Sequence, residues 1–110
     1  MARPAMTAAA LAAAGLIFSA AAAGGEDDGT VIRILSPRNG EVVKGDTVEL
    51  KYEWTSGGKA HHVHIYLDGE RIKTTTFKGL FKGRHAVVLR PATSDHELLD
   101  VVEAVIFTVE

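Results

Sequence analysis

The feature that most constrains the fold is a segment in which apolar and polar residues alternate without interruption. Between Thr47 and Trp54, Val, Leu, Tyr and Trp occupy every second position, and Thr, Glu, Lys and Glu occupy the positions between them. Successive side chains of a β-strand point to opposite faces, so this pattern predicts an antiparallel strand with one face in a core and one in water. The apolar face of such a strand must be covered by a second layer.

Six further segments have the same short, apolar or alternating character, and turn residues such as Pro37, Asn39-Gly40 and Asp68-Gly69 lie between them. They are residues 31–35, 42–43, 61–67, 71–77, 84–90 and 101–109. About seven short strands at regular spacing, with no long helix, predict an all-β, immunoglobulin-like antiparallel β-sandwich over residues 31–110. A small open barrel is the alternative architecture.

Residues 1–23 have the composition of a secretory signal peptide. Arg3 is the only charged residue before Glu26, an Ala-rich apolar run extends from Thr7 to Phe18, and small residues with an Ala-x-Ala pattern end at Ala23. A transmembrane anchor is the alternative, but the apolar run is shorter than a bilayer requires. We therefore expect a periplasmic or secreted protein with no membrane span after signal cleavage. We interpret residues 24–30 as a flexible acidic leader.

Charge and sulfur content limit the partners of the chain. The formal net charge is −2, and it becomes −3 once Arg3 is removed with the signal peptide, so a basic face for nucleic acid or an anionic membrane is not expected. There is no cysteine, and both methionines, Met1 and Met6, lie in the predicted signal peptide. Any metal ligands in the exported domain must therefore be nitrogen or oxygen atoms.

Three of the five histidines fall within four positions, 61–64. His62 and His64 share a strand face opposite to Val63 and Ile65, so we expect both imidazoles to point outward from the sheet. Their Cα atoms are expected about 6.5–7 Å apart, which allows the two rings to converge on one metal ion. We expect His61 to be half-buried at the end of the strand and to bind nothing.

A third ligand must come from another segment. In a sandwich of this class the strand at 84–90 is the antiparallel neighbour of the histidine strand, so the loop after Pro91 lies beside His62. The candidate metal site is therefore His62, His64 and His96, with Asp95 as a further candidate ligand. Nitrogen and oxygen donors without thiolate favour Cu(II) or Zn(II). His85 falls at the other end, near Asp68, and we interpret it as a structural residue that makes hydrogen bonds.

Catalytic signatures are lacking. Ser94-Asp95-His96 contains the residue types of a hydrolase triad, but sequence neighbours on one turn cannot form the required chain of hydrogen bonds. No Gly-x-Ser-x-Gly elbow or phosphate-binding glycine loop is present in the sequence. We expect a protein that is not an enzyme.

These residues resemble the pattern of a group of small exported bacterial proteins of unknown function with an immunoglobulin-like sandwich. That pattern is a His-rich strand ending in Asp, then Gly-x-His, then a loop histidine after an acidic residue. The matching positions are His62, His64, Asp68-Gly69, Gly83-Arg84-His85 and Asp95-His96. Val63 departs from it, because the family tends to have a further histidine there. The resemblance implies a sandwich fold and export, and it implies no activity.

The sequence thus predicts an exported binding module with a surface histidine site for Cu(II) or Zn(II). The alternative is an envelope adhesion, protein-interaction or glycan-binding module without a metal. In that case the loops and the polar edge strand from Arg71 to Thr76 would meet an envelope protein or a glycan.

Overall fold

Nine β-strands and no helix are present in residues 26–110, the part of the chain that this computed structural model describes. The strands are β1 (Val31–Ser36), β2 (Val42–Val43), β3 (Val48–Glu49), β4 (Lys51–Thr55), β5 (His62–Leu67), β6 (Glu70–Ile72), β7 (Thr76–Phe77), β8 (Gly83–Ala92) and β9 (Glu103–Val109). Only Leu50 separates β3 from β4, and together they form the alternating segment. The predicted signal peptide lies outside the described residues.

The strands form two layers. β1 pairs with β4 and β3 pairs with β7, both antiparallel, so the continuous segment β3–β4 joins β1 and β7 in one layer. The second layer is a five-stranded sheet in the order β2-β9-β8-β5-β6, in which β2 and β9 run parallel and the other pairs antiparallel. The all-β sandwich predicted from the sequence is confirmed.

The apolar core lies between the two layers and draws on both. Its buried side chains are Ile32, Val48, Leu50 and Phe77 from the first layer and its connections, and Ile65, Val87, Leu89, Val105, Phe107 and Val109 from the second. The alternation that predicted the strand also predicts its burial: Val48 and Leu50 are buried, whereas Glu49, Lys51 and Glu53 are exposed. The outward face of the five-stranded sheet is therefore free to carry polar groups.

The pairing of β5 with β8 determines which residues meet at each end of the sheet. The strands are antiparallel, with His62 opposite Ala92, His64 opposite Arg90 and Leu67 opposite Val87. The start of β5 thus lies beside the end of β8, as the sequence predicted. At the other end, Asp68 and Gly69 form a two-residue turn into β6, and both have positive φ (53° and 87°), as a type I′ hairpin turn requires.

The described part of the predicted leader contacts the loop between β4 and β5. The Asp28 carboxylate accepts hydrogen bonds from the Thr30 hydroxyl and from the backbone N–H groups of Thr30, Lys59 and Ala60. These bonds, that from the Thr30 hydroxyl most of all, lower the pKa of Asp28 to about 2. These hydrogen bonds attach residues 28–30 to the loop between β4 and β5. Their partners in the loop are 27 to 32 positions away, which a local pattern does not reveal.

No helix long and apolar enough to span a bilayer occurs in residues 26–110.

Candidate metal centre

Three imidazole rings meet where β5 begins and β8 ends. Nε2 of His62 lies 2.9 Å from Nε2 of His64 and 3.2 Å from Nδ1 of His96. One ring nitrogen from each of the three residues lies within 4.8 Å of the others. Two nitrogens bound to one Zn(II) at about 2.0–2.1 Å are themselves about 2.9–3.4 Å apart. The two separations from His62 therefore match those of a ligand set, the third is no more than 4.8 Å, and the three histidines could hold a metal ion.

His62 and His64 point to the outer face of the five-stranded sheet, since they alternate along β5 with the core residue Ile65. His62 is half-buried, but His64 is only 5% exposed. This corrects the expectation that both would be surface residues. The ring centroids of His62, His96 and Tyr66 lie 4.8, 5.8 and 6.5 Å from that of His64, so neighbouring rings shield it from water.

His96 reaches the other two histidines from a tight turn that follows β8. The Thr93 N–H donates to Glu97 O at 2.9 Å, the His96 N–H donates to Thr93 O at 2.9 Å, and Ala92 bridges Leu98. This is the arrangement of a type I turn followed by a left-handed residue, the position that glycine usually occupies. His96 has a φ of 67°. A left-handed backbone costs a non-glycine residue about 1–2 kcal/mol, and here that strained residue is the third histidine of the group.

Asp95, the further candidate ligand, is exposed at the tip of the same turn. It does not belong to the group of described residues whose ligand atoms approach one another. The structure thus brings together the three predicted histidines and leaves Asp95 outside their group.

His61 is exposed, which corrects the expectation that it would be half-buried. The inward alternation does not extend to it, because β5 begins only at His62. Its Nδ1 lies 3.0 Å from Nδ1 of His62. A His62 ring that donates its Nδ1–H to His61 has a free lone pair on Nε2, the atom that faces His64 and His96. In that tautomer His61 would orient the His62 ring toward the other two histidines, a role that the sequence did not suggest.

The electrostatics of the site favour neutral imidazoles. Burial is the largest cause that lowers the pKa of both His62 and His64. For His64 the positive charge of Arg71 is the next cause, and for His62 it is the neighbouring His96. The neutral ring is the form that binds a metal ion, so protons compete less with a metal here than at an ordinary surface histidine.

His85 lies at the opposite end of the sheet. Its ring is 2% exposed, with Nδ1 2.6 Å from Asp68 Oδ2 and Nε2 2.8 Å from Phe81 O. A carboxylate and a carbonyl can only accept, so both ring nitrogens must donate, as they do in an imidazolium. Burial by itself lowers the pKa of His85, but the bonds to Phe81 and Asp68 outweigh it and the pKa is raised. His85 therefore lies in a second polar cluster, separate from the three-histidine group.

Comparison with known proteins identifies a fold and no family. No family model and no curated protein matches the sequence. Among solved structures, the fibronectin(III)-like modules of Clostridium thermocellum CbhA are similar, with a TM-score of 0.58 and 19% identity over 73% of this chain and 97% of that one. The chain has a fibronectin type III-like fold. This similarity supports the immunoglobulin-like sandwich fold that the sequence resemblance implied.

A second similar structure is the Bacteroides ovatus mixed-linkage glucan utilization locus protein SGBP-B, in complex with a mixed-linkage heptasaccharide. The TM-score is 0.40 and the identity 11%, over 72% of this chain and 24% of that one. This chain thus spans about a quarter of that protein.

Proposed function

We propose that this protein is an exported, non-enzymatic β-sandwich module that binds Zn(II) or Cu(II) through His62, His64 and His96. The observation that carries the proposal is the convergence of three ring nitrogens, which come from two parts of the chain more than 30 residues apart. Export rests on the signal-peptide pattern of residues 1–23.

The chemistry of the donors supports the choice of ion. Three neutral imidazole nitrogens, without a thiolate, suit Zn(II) and Cu(II) and are a poor set for Ca(II) or Mg(II), which prefer oxygen. The lowered pKa of His62 and His64 keeps both rings in the ligating form near neutral pH.

The backbone of His96 also supports a functional role. Glycine would relieve the left-handed strain at this position, whereas the histidine side chain there contacts the rings of His62 and His64. Strain of this kind is typical of residues held in place for binding.

The test is calorimetric titration of the purified metal-free protein with zinc and copper salts. We expect one site with a Kd below about 10 μM, close to −7 kcal/mol. In H96G the turn is kept and one ligand is removed, so the affinity should fall at least about a hundredfold, more than the loss of an outer-shell partner. The matched control is S94A on the same turn, which should change the Kd by less than about twofold.

Two results would overturn the proposal. One is a wild-type protein that binds neither ion more tightly than about 10 μM. The other is an H96G protein that binds as tightly as the wild type, which would place the metal elsewhere.

A further inference from the structure

A metal ion on the three histidines would keep an open coordination position. The group has three members among residues 26–110, and Zn(II) and Cu(II) take at least four ligands. His64 is buried, but His62 is half-buried and His96 is exposed, so the group opens to solvent on the side of these two rings. A fourth ligand can therefore enter from outside the protein.

Two arginines share the outer sheet face with His64. Arg90 lies directly opposite His64 on β8, and Arg71 lies opposite Tyr66 on β6, on the other side of β5. Directly paired residues of neighbouring strands project from the same face, and a diagonal neighbour is within reach of a long side chain. The two arginines thus lie on the two strands that adjoin the strand of the buried histidine, on the same sheet face.

The two arginines differ in exposure and in the partners of their guanidinium groups. Arg90 donates from Nη2 to Leu99 O at 2.9 Å, and its Nε is buried without a partner among the described residues. Arg71 is exposed and makes no salt bridge within residues 26–110. Arg71 is the arginine available to an incoming ligand.

A loaded site would add positive charge to this face of the sheet. A divalent ion on three neutral imidazoles would lie on the sheet face that carries Arg71 and Arg90, whereas the carboxylates of Asp95 and Glu97, on the His96 turn, are exposed and outside the group. Like charges at this density disfavour each other unless an anion is present. A guanidinium also presents parallel N–H donors that match a carboxylate or phosphate.

The geometry points to a small oxyanion as the fourth ligand, with one oxygen on the metal held by His62, His64 and His96 and another on the guanidinium of Arg71. The inference rests on the proposed metal function and names the class of ligand that this site takes. The oxygens of such a ligand could belong to a carboxylate or to a phosphate group. Acetate and inorganic phosphate are the probes for these two classes.

The experiment uses the copper-loaded full-length protein and azide as a reporter anion, because azide bound to Cu(II) produces a charge-transfer band. We expect azide to bind and to be displaced by acetate, phosphate or both. In R71Q the azide Kd should rise about tenfold, because one nearby positive charge is lost. The matched control is K51Q, which removes an exposed positive charge from the other layer and should leave the azide Kd unchanged.

Copper binding is measured first, so that failure of the metal site and failure of the anion site are distinguished. If copper binds but azide does not, or if azide binds equally well to R71Q and the wild type, the oxyanion inference is wrong while the metal site stands. Failure of both acetate and phosphate to displace azide would also overturn it.

A variant of Asp95 distinguishes a fourth ligand supplied by the protein from an external oxyanion. If its carboxylate already filled the fourth position, D95N would change the copper spectrum in the absence of any added anion and would tighten azide binding. Either change would contradict the inference, and an unchanged spectrum and azide Kd would support an external oxyanion.

Discussion

The two ends of β5 carry histidines in opposite electrostatic situations. At the start of the strand, His62 and His64 face each other and His96, and their pKa values are lowered. Just beyond its end, Asp68 and Phe81 O hold His85, whose pKa is raised. At one end of β5 the ring nitrogens contact other ring nitrogens, and at the other end both nitrogens of one ring contact oxygen acceptors.

Burial does not explain this difference. His64 is 5% exposed and His85 is 2% exposed, so both have lost almost all contact with water. Desolvation acts to lower the pKa of each. The partners decide the outcome: cationic and imidazole neighbours add to the lowering at His64, whereas a carboxylate and a carbonyl reverse it at His85. A buried histidine must therefore be interpreted through its hydrogen-bond partners before a charge is assigned.

The largest effect that tests this contrast is expected from D68N. Asparagine tolerates the left-handed turn position but offers no negative charge to His85, so the free energy of unfolding should fall by about 2 kcal/mol. The zinc affinity should change by less than about twofold, because the metal group lies at the other end of the strand. Urea unfolding and calorimetric titration measure the two quantities. A tenfold loss of zinc affinity would show that the two ends are coupled.

H96G in the metal-free protein is expected to change the free energy of unfolding less than D68N does, and in the opposite direction. Relief of the left-handed strain should exceed the entropy that glycine adds to the unfolded chain and raise the free energy of unfolding by about 0.5–1 kcal/mol. S94G, on the same turn at a position without positive φ, should instead lower it. Urea unfolding with a chelator present compares the two. Equal destabilisation by both variants would mean that His96 is not strained.

The smallest effect is expected in the pH dependence of stability without metal. His85, with a raised pKa, stabilises the fold fully below its unfolded pKa of about 6.5, and this contribution is lost as pH rises through its folded pKa. His62 and His64, with lowered pKa values, contribute fully above about 6.5, and their contribution is lost as pH falls through their folded pKa.

The free energy of unfolding should therefore be greatest near pH 6.5 and decline gently on both sides. D68N should flatten the alkaline decline. H62Q should flatten the acid decline just below about pH 6.5, where ordinary carboxylates stay ionised. Unfolding curves at several pH values, with a chelator present, test both. An alkaline decline that persists in D68N would mean that His85 is not its cause.

Much of the fold could be predicted from the sequence, because strand burial follows a period of two and turn residues mark the strand ends. The alternation from Thr47 to Trp54 and the Asp68-Gly69 turn are both present in the structure. The pairing of β5 with β8 could be predicted from the strand order of the sandwich. The same strand order predicted that the loop after Pro91 lies near His62. Each of these inferences depends on local periodicity or on the general strand order of the fold.

The remaining features depend on contacts between distant residues. The burial of His64 requires the His96 ring, which comes from another loop, and the charge on His85 requires the carbonyl of Phe81. The anchoring of Asp28 by Lys59 and Ala60 is equally non-local. His61 is exposed because alternation no longer predicts the direction of a side chain where a strand has not yet begun. Side-chain periodicity contains no information on any of these.

The position of the histidines on the outer sheet face has a consequence for the relation between folding and metal binding. None of the apolar residues that form the core belongs to the histidine group, and the turn that carries His96 is closed by hydrogen bonds among its own residues, including one from the Glu97 N–H to the Thr93 hydroxyl. In a zinc finger the ion creates the structure, so a chelator unfolds the domain. On the proposed metal function, the fold of this chain already brings the three histidines together, so we expect a chelator to remove the ion without unfolding the domain and to leave it able to bind another.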